Sequence, residues 1–187
     1  MKITILILFF ALLTSCGGGE ETDKKISIFF DNITYSNENE NIIIFDDAVQ
    51  KGSLSGNMGI KNGISIEHEI SCLNGGEESD ACLKITYNTE AETWAGIYLL
   101  AMSGDWDTTT DILEEMTALS FQVKSSGNVV VKEIGMGTEN DSAGKHAIFN
   151  KNIGTEWQEH TIDLSNVNLS AVTGLFYIAI EAAPNKQ

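Results

Sequence analysis

Apolar and polar residues alternate with a period of two along most of the chain. The alternation runs through Ile64–Ile70, Cys82–Tyr87, Trp94–Met102, Ala118–Lys124, Val129–Met136, Trp157–Asp163 and Leu175–Glu181, with Gly, Asn, Asp and Ser clusters between the runs. That period places successive side chains on opposite faces of a strand, and the intervening residues are those that turn a chain. Ile26–Phe30 and Ile42–Phe45 are further strand candidates, and Asn62-Gly63 suits a two-residue hairpin turn. Only Thr109 to Glu115 carries a helical stripe, one or two turns long. Strands this numerous without helices between them predict an all-β fold, a two-sheet antiparallel β-sandwich or jelly roll. No internal repeat is present, and the polar run Ser36 to Asn41 reads as a loop.

The alternation also assigns faces. Ala95, Ile97, Leu99 and Ala101 form an aliphatic set that belongs between the sheets, so Trp94 and Tyr98 point outward. By the same rule Leu119, Phe121 and Val123 enter the core while Ser120, Gln122 and Lys124 leave it. Phe176, Ile178 and Ile180 enter, and Tyr177 leaves. If these strands share one sheet, its outer face is a shallow platform of Trp94, Tyr98, Tyr177 and Gln122. Such a mixture suits a sugar, because a pyranose packs its C–H face on an aromatic ring and offers hydroxyls to amides and carboxylates.

The amino terminus has a different pattern. Lys2 precedes an unbroken apolar run, Ile3 to Leu13, too short to span a bilayer and of the length of a secretory signal. The run ends in Leu13-Thr14-Ser15-Cys16, which resembles the lipobox of bacterial lipoproteins. That resemblance implies cleavage after residue 15 and acylation of Cys16, a durable anchor when several chains are buried at about 0.8 kcal/mol per CH₂. Residues 16–25, with Gly17-Gly18-Gly19 and a charged tail, then form a flexible tether, and 26–187 the sandwich domain. Gly17, rather than Asp, after the lipidated Cys fits sorting to the outer membrane.

Composition narrows the partners. The 187 residues carry 11 Lys+Arg against 27 Asp+Glu, a net charge of −16. Such a surface repels nucleic acid, whose binding is driven by cations displacing counterions, and gives no electrostatic hold on anionic lipid. Membrane contact therefore falls to the lipid on Cys16. The same charge disfavours sulfated or uronic polymers. With Cys16 acylated, Cys72 and Cys82 are an even pair in an oxidising compartment and predict one disulfide. A zinc pair or a catalytic thiol lacks the spacing and the neighbouring His it needs.

Several segments together resemble a family. Cys82–Tyr87, Thr93–Tyr98, Ser103–Trp106, Ala118–Phe121 and Thr155–Ser165 are similar to the galactose-binding-like jelly rolls of bacterial polysaccharide-utilisation proteins, which include carbohydrate-binding modules fused to glycoside hydrolases. The resemblance covers Ile42 to Pro184 and implies glycan on a concave sheet face or in the loops at one end. The chain departs from the pattern at Gln122, where an aromatic is common, and at His160, where Tyr is usual. It also stops at Gln187, where the pattern continues into a last strand, so a truncated carboxyl end is expected.

Other candidates are weighed on their chemistry. Trp106, in the loop around Asp105 and Asp107, is either a sugar-stacking aromatic or a packing plug, and Trp157 is structural. Asp46-Asp47 resembles an acidic position near a structural calcium in such jelly rolls, although calcium takes several oxygen ligands and two adjacent Asp suit a solvated turn better. Glu77, Glu78 and Asp80 make a solvated acidic loop. No carboxylate pair flanks a cleft, His68, His146 and His160 are solitary, and no Ser or Cys is placed as a nucleophile, so a catalytic role is not expected. The expected function is lipid-anchored, non-catalytic capture of a poly- or oligosaccharide, the rivals being an accessory head of a hydrolase and an adhesive lipoprotein that holds a protein.

Overall fold

The computed structural model describes residues 25–46, 48–49, 53–56, 64–71, 81–88, 94–102 and 105–181. They form twelve strands: β1 (Lys25–Ser36), β2 (Asn41–Asp46), β3 (Ala48–Val49), β4 (Ser53–Gly56), β5 (Ile64–Ser71), β6 (Ala81–Asn88), β7 (Trp94–Leu100), β8 (Ala118–Ser125), β9 (Val129–Met136), β10 (His146–Ile153), β11 (Gln158–Asp163) and β12 (Gly174–Glu181). Two antiparallel sheets pack as a sandwich, and no helix occurs among the described residues. Thr109 to Glu115 is a loop with successive i→i+3 turns, Glu114 N–H to the Asp111 carbonyl and Met116 N–H to that of Leu113. Seven residues are too few to sustain a helix by propensity. Buried Leu113 and Met116 hold this segment on the core instead.

The seven-stranded sheet is organised by β1. On one side β8 runs beside it and β11 beside β8. On the other side β1 is shared: Lys25–Phe30 pairs with β6, itself paired with β5, while Ile33–Ser36 pairs with β2, which continues to β3. A bulge makes this possible. Asn32 and Ile33 together stand where β8 has Phe121 alone, and Asn32 takes φ of 50°. One extra residue exchanges the faces of a strand. Ile28 and Phe30 before the bulge and Ile33 and Tyr35 after it therefore all enter the core.

The five-stranded sheet has the order β10-β9-β12-β7-β4. Between the sheets, Phe30, Phe121 and Phe176 meet with ring centroids 5.3–6.1 Å apart in tilted and edge-on contacts. Leu119, Phe121 and Val123 face inward as their alternation predicts, as do Ile97, Leu99, Phe176, Ile178 and Ile180. Both β9 and β10 exchange faces midway, so that Val131 and Ile134 both reach the core, as do Ile148 and Ile153. The ladder between them is interrupted where Lys132 and Asn150 would pair, and Asn150 has φ of 49°.

Candidate functional site

Sheet membership divides the sequence-derived platform. Tyr98 on β7 and Tyr177 on β12 are directly paired in the five-stranded sheet, whereas Gln122 on β8 lies in the seven-stranded one. Gln122 thus faces outward on the opposite side of the sandwich, and one surface does not contain all four residues. Alternation alone says which residues share a face of a strand, not which strands share a sheet.

On the five-stranded sheet the outer face carries an aromatic stack. The Tyr98 and Tyr177 rings lie 4.9 Å apart at 16°, and Trp106 meets Tyr98 edge-on at 5.1 Å and 71°. Tyr177 is not an open platform, for it is 0% exposed. Tyr98 lies against one side of it, the Lys145 ammonium is 5.7 Å from its ring, and its hydroxyl donates to Glu133 Oε2 at 2.9 Å. Burial, the Glu133 hydrogen bond and charge, and Tyr98 push its hydroxyl far above the ordinary phenol range. Tyr98 is raised by burial first and then by Glu133, Glu139 and Asp141. Both hydroxyls therefore remain protonated donors at neutral pH.

Loops hold the ends of this stack. Asp105 accepts from the backbone N–H groups of Asp107 and Thr108 and from the Thr108 hydroxyl, which pins the turn bearing Trp106 and lowers the Asp105 carboxyl below its usual range, the Thr108 hydroxyl contributing most. The loop leading to Lys145 is anchored by buried Asp141, whose carboxylate accepts from Thr138 N–H and hydroxyl and from Gly174 N–H. Across the sheet, Glu133 pairs with Phe149 of β10 and with Ala179 of β12, and Ala179 with Gly96 of β7. Glu133 thus stands beside Phe149, which is 62% exposed, and small residues, Ala179 and Gly96, complete that row across the sheet. A half-exposed Tyr and Trp, a carboxylate, an ammonium and an exposed Phe are the chemistry of this face. Phe149 was not legible as a site residue, because β10 places apolar Ile148 and Phe149 side by side and so breaks the period of two, and Glu133 and Lys145 meet Tyr177 only through contacts across the fold.

The outer face of the seven-stranded sheet has its own band. Lys124 pairs with Phe29, and its ammonium lies 5.5 Å from the Phe29 ring and 4.7 Å from that of Trp157. Gln122 stands two residues along β8, flanked by Asp31 and Glu159 on the neighbouring strands.

Of the remaining candidates, Trp94 opens β7 opposite Glu181 and its side chain lies outside the described residues, as do Cys16, Asp47 and Cys72. Cys82 is buried and disulfide-bonded. β5 ends at Ser71, beside Cys72 in sequence, paired with Ala81, beside Cys82. Asp46 closes β2 opposite Ala48, and no three His, Cys, Asp or Glu converge on a metal position among the described residues. His146 Nε2 is 2.9 Å from the Ala143 carbonyl oxygen. Comparison with protein-family models, with curated proteins and with solved structures finds no significant match.

Proposed function

We propose that this chain is a non-catalytic glycan-binding domain, a jelly-roll sandwich held at a bacterial envelope by lipid on Cys16, which captures a neutral poly- or oligosaccharide. The supporting observation is the half-exposed edge of the aromatic stack, Tyr98 with Trp106, beside the Glu133 carboxylate. A pyranose stacks its C–H face on such rings while its hydroxyls find a carboxylate acceptor and an ammonium donor within the same patch. Tyr177, fully covered, stacks beside Tyr98 and holds its ring in place rather than touching sugar.

Affinity electrophoresis of the full-length chain in detergent, through gels that contain different neutral polysaccharides, tests the reading. At least one polymer retards the chain, and Tyr98→Ala and Trp106→Ala each weaken the retardation several-fold. Absence of retardation in every gel, with the fold intact by circular dichroism, overturns it. Phe149 and Val130, 62% and 52% exposed, favour the adhesive alternative in that event, since large exposed apolar side chains suit a protein partner.

A further inference from the structure

Lys124 presents an imbalance that the aromatic stack on the other sheet does not explain. It stands on an outer sheet face yet is only 8% exposed, with Phe29 on the neighbouring strand and Trp157 just before β11 close to its ammonium. Among the described residues no carboxylate pairs with it, and no oxygen accepts its hydrogen bonds. The flanking carboxylates Asp31 and Glu159 sit one row away, opposite Gln122. Aromatic faces attract a cation but accept none of the conventional hydrogen bonds of its three N–H donors, and the ammonium is not among the buried polar atoms without a partner, so it is open to a ligand from solvent.

We propose that this row is a second ligand site, which takes an anionic pyranose, its carboxylate or sulfate on the Lys124 ammonium and its ring on Trp157 or Phe29. The geometry matches that ligand. Adjacent strands are about 4.8 Å apart, so each ring lies roughly one sugar width from the ammonium. A neutral sugar offers the ammonium only hydroxyl acceptors, whereas an oxyanion on the same ring supplies a charge-assisted hydrogen bond about twice as strong. The overall charge of −16 does not forbid this, because screening limits each surface charge to about 8 Å at physiological salt and the local cation governs the contact. The proposal rests on the reading of the chain as glycan-binding and places a different glycan class on a different face.

The test uses the full-length chain in detergent and gels containing polygalacturonate, dextran sulfate or a neutral glucan. Polygalacturonate or dextran sulfate retards the chain, and which one does so assigns carboxylate or sulfate. Lys124→Gln loses at least ten-fold in apparent affinity for that polymer, Lys124→Arg keeps most of it, and Tyr98→Ala keeps it fully. Trp157→Leu, at the half-buried end of the row, carries the same expectation of loss should Lys124→Gln lower the folded fraction. No retardation in either anionic gel, or equal retardation of wild type, Lys124→Gln and Trp157→Leu, overturns the proposal. Retardation confined to the neutral gel overturns it too, while leaving the Tyr98 face standing.

Discussion

The Tyr35 hydroxyl crosses the core to donate a 2.7 Å hydrogen bond to the backbone carbonyl of Leu175. Tyr35 belongs to β1 and Leu175 is the extra residue of a bulge in β12, between the pairs Gly174–Leu100 and Phe176–Leu99. A bulge leaves ladder groups unpaired, and here the opposite sheet supplies a missing donor. Burial, with a contribution from Asp141, raises the Tyr35 hydroxyl well above the usual phenol range, so it stays a donor. Tyr35→Phe keeps the ring and strands the carbonyl. The variant is expected to lose about 1–3 kcal/mol in urea unfolding, the cost of a buried unsatisfied polar group, with glycan retardation of the folded protein unchanged.

Gly137 has φ of 81°, and a Cβ there would lie 1.9 Å from the Gly144 carbonyl oxygen. Gly137→Ala combines left-handed strain with a backbone clash, for an expected loss of about 2–4 kcal/mol in chemical unfolding. Because this loop leads to Lys145, the same variant is also expected to alter the environment of Tyr177, measurable as a change in near-ultraviolet circular dichroism.

His160 lies beside Phe121, ring centroids 5.7 Å apart, and its Nε2 is buried without a hydrogen-bond partner among the described residues. Desolvation first, and Lys151 second, lower its affinity for a proton in the folded state. Above the ordinary pKa near 6.5 the ring is neutral folded or unfolded and adds no pH dependence. Below it the unfolded chain binds the proton first, so stability falls as pH drops from 6.5 towards the lowered native value. Urea midpoints compared at pH 7.5 and 5.5 are expected to decline less in His160→Phe than in wild type. An equal decline in both would show that other groups carry the acid sensitivity.

Cys82 is disulfide-bonded. Non-reducing digestion and mass spectrometry are expected to recover the peptide of Cys82 joined to that of Cys72. Reduction should lower stability by roughly 2.5–3 kcal/mol on the loop-entropy estimate for a loop of this length.

The sandwich was legible because its strands obey simple alternation. β9 matches the expected Val129–Met136 from end to end, and the inward residues of β8 and β12 are those read from the sequence. β1 was legible only as far as Phe30. Asn32 adds a residue that shifts the parity, and Ile33 and Tyr35 no longer look continuous with Ile28 and Phe30. β10 escaped for a related reason, and β3 and β4 are too short, at two and four residues, to show any period. The site was half legible. Tyr98 and Trp106 lie together as aromatic candidates, while Gln122 belongs to the other sheet and Tyr177 is covered. Strand order is set by long-range pairing, and covering depends on loops such as that bearing Lys145. Neither is encoded in a local pattern.

The interruption at Asn150 has a consequence for the molecule in a crowd. Among the described residues β10 ends its sheet, and a flat edge strand is a template on which another chain could extend the sheet. Asn150 turns the backbone into the left-handed region midway along that edge, and Lys151 follows it with a charge. A neighbour could therefore find only a few residues of straight edge in register before the faces exchange. Copies at high local concentration are thereby kept from knitting into a shared sheet, and they stay separate.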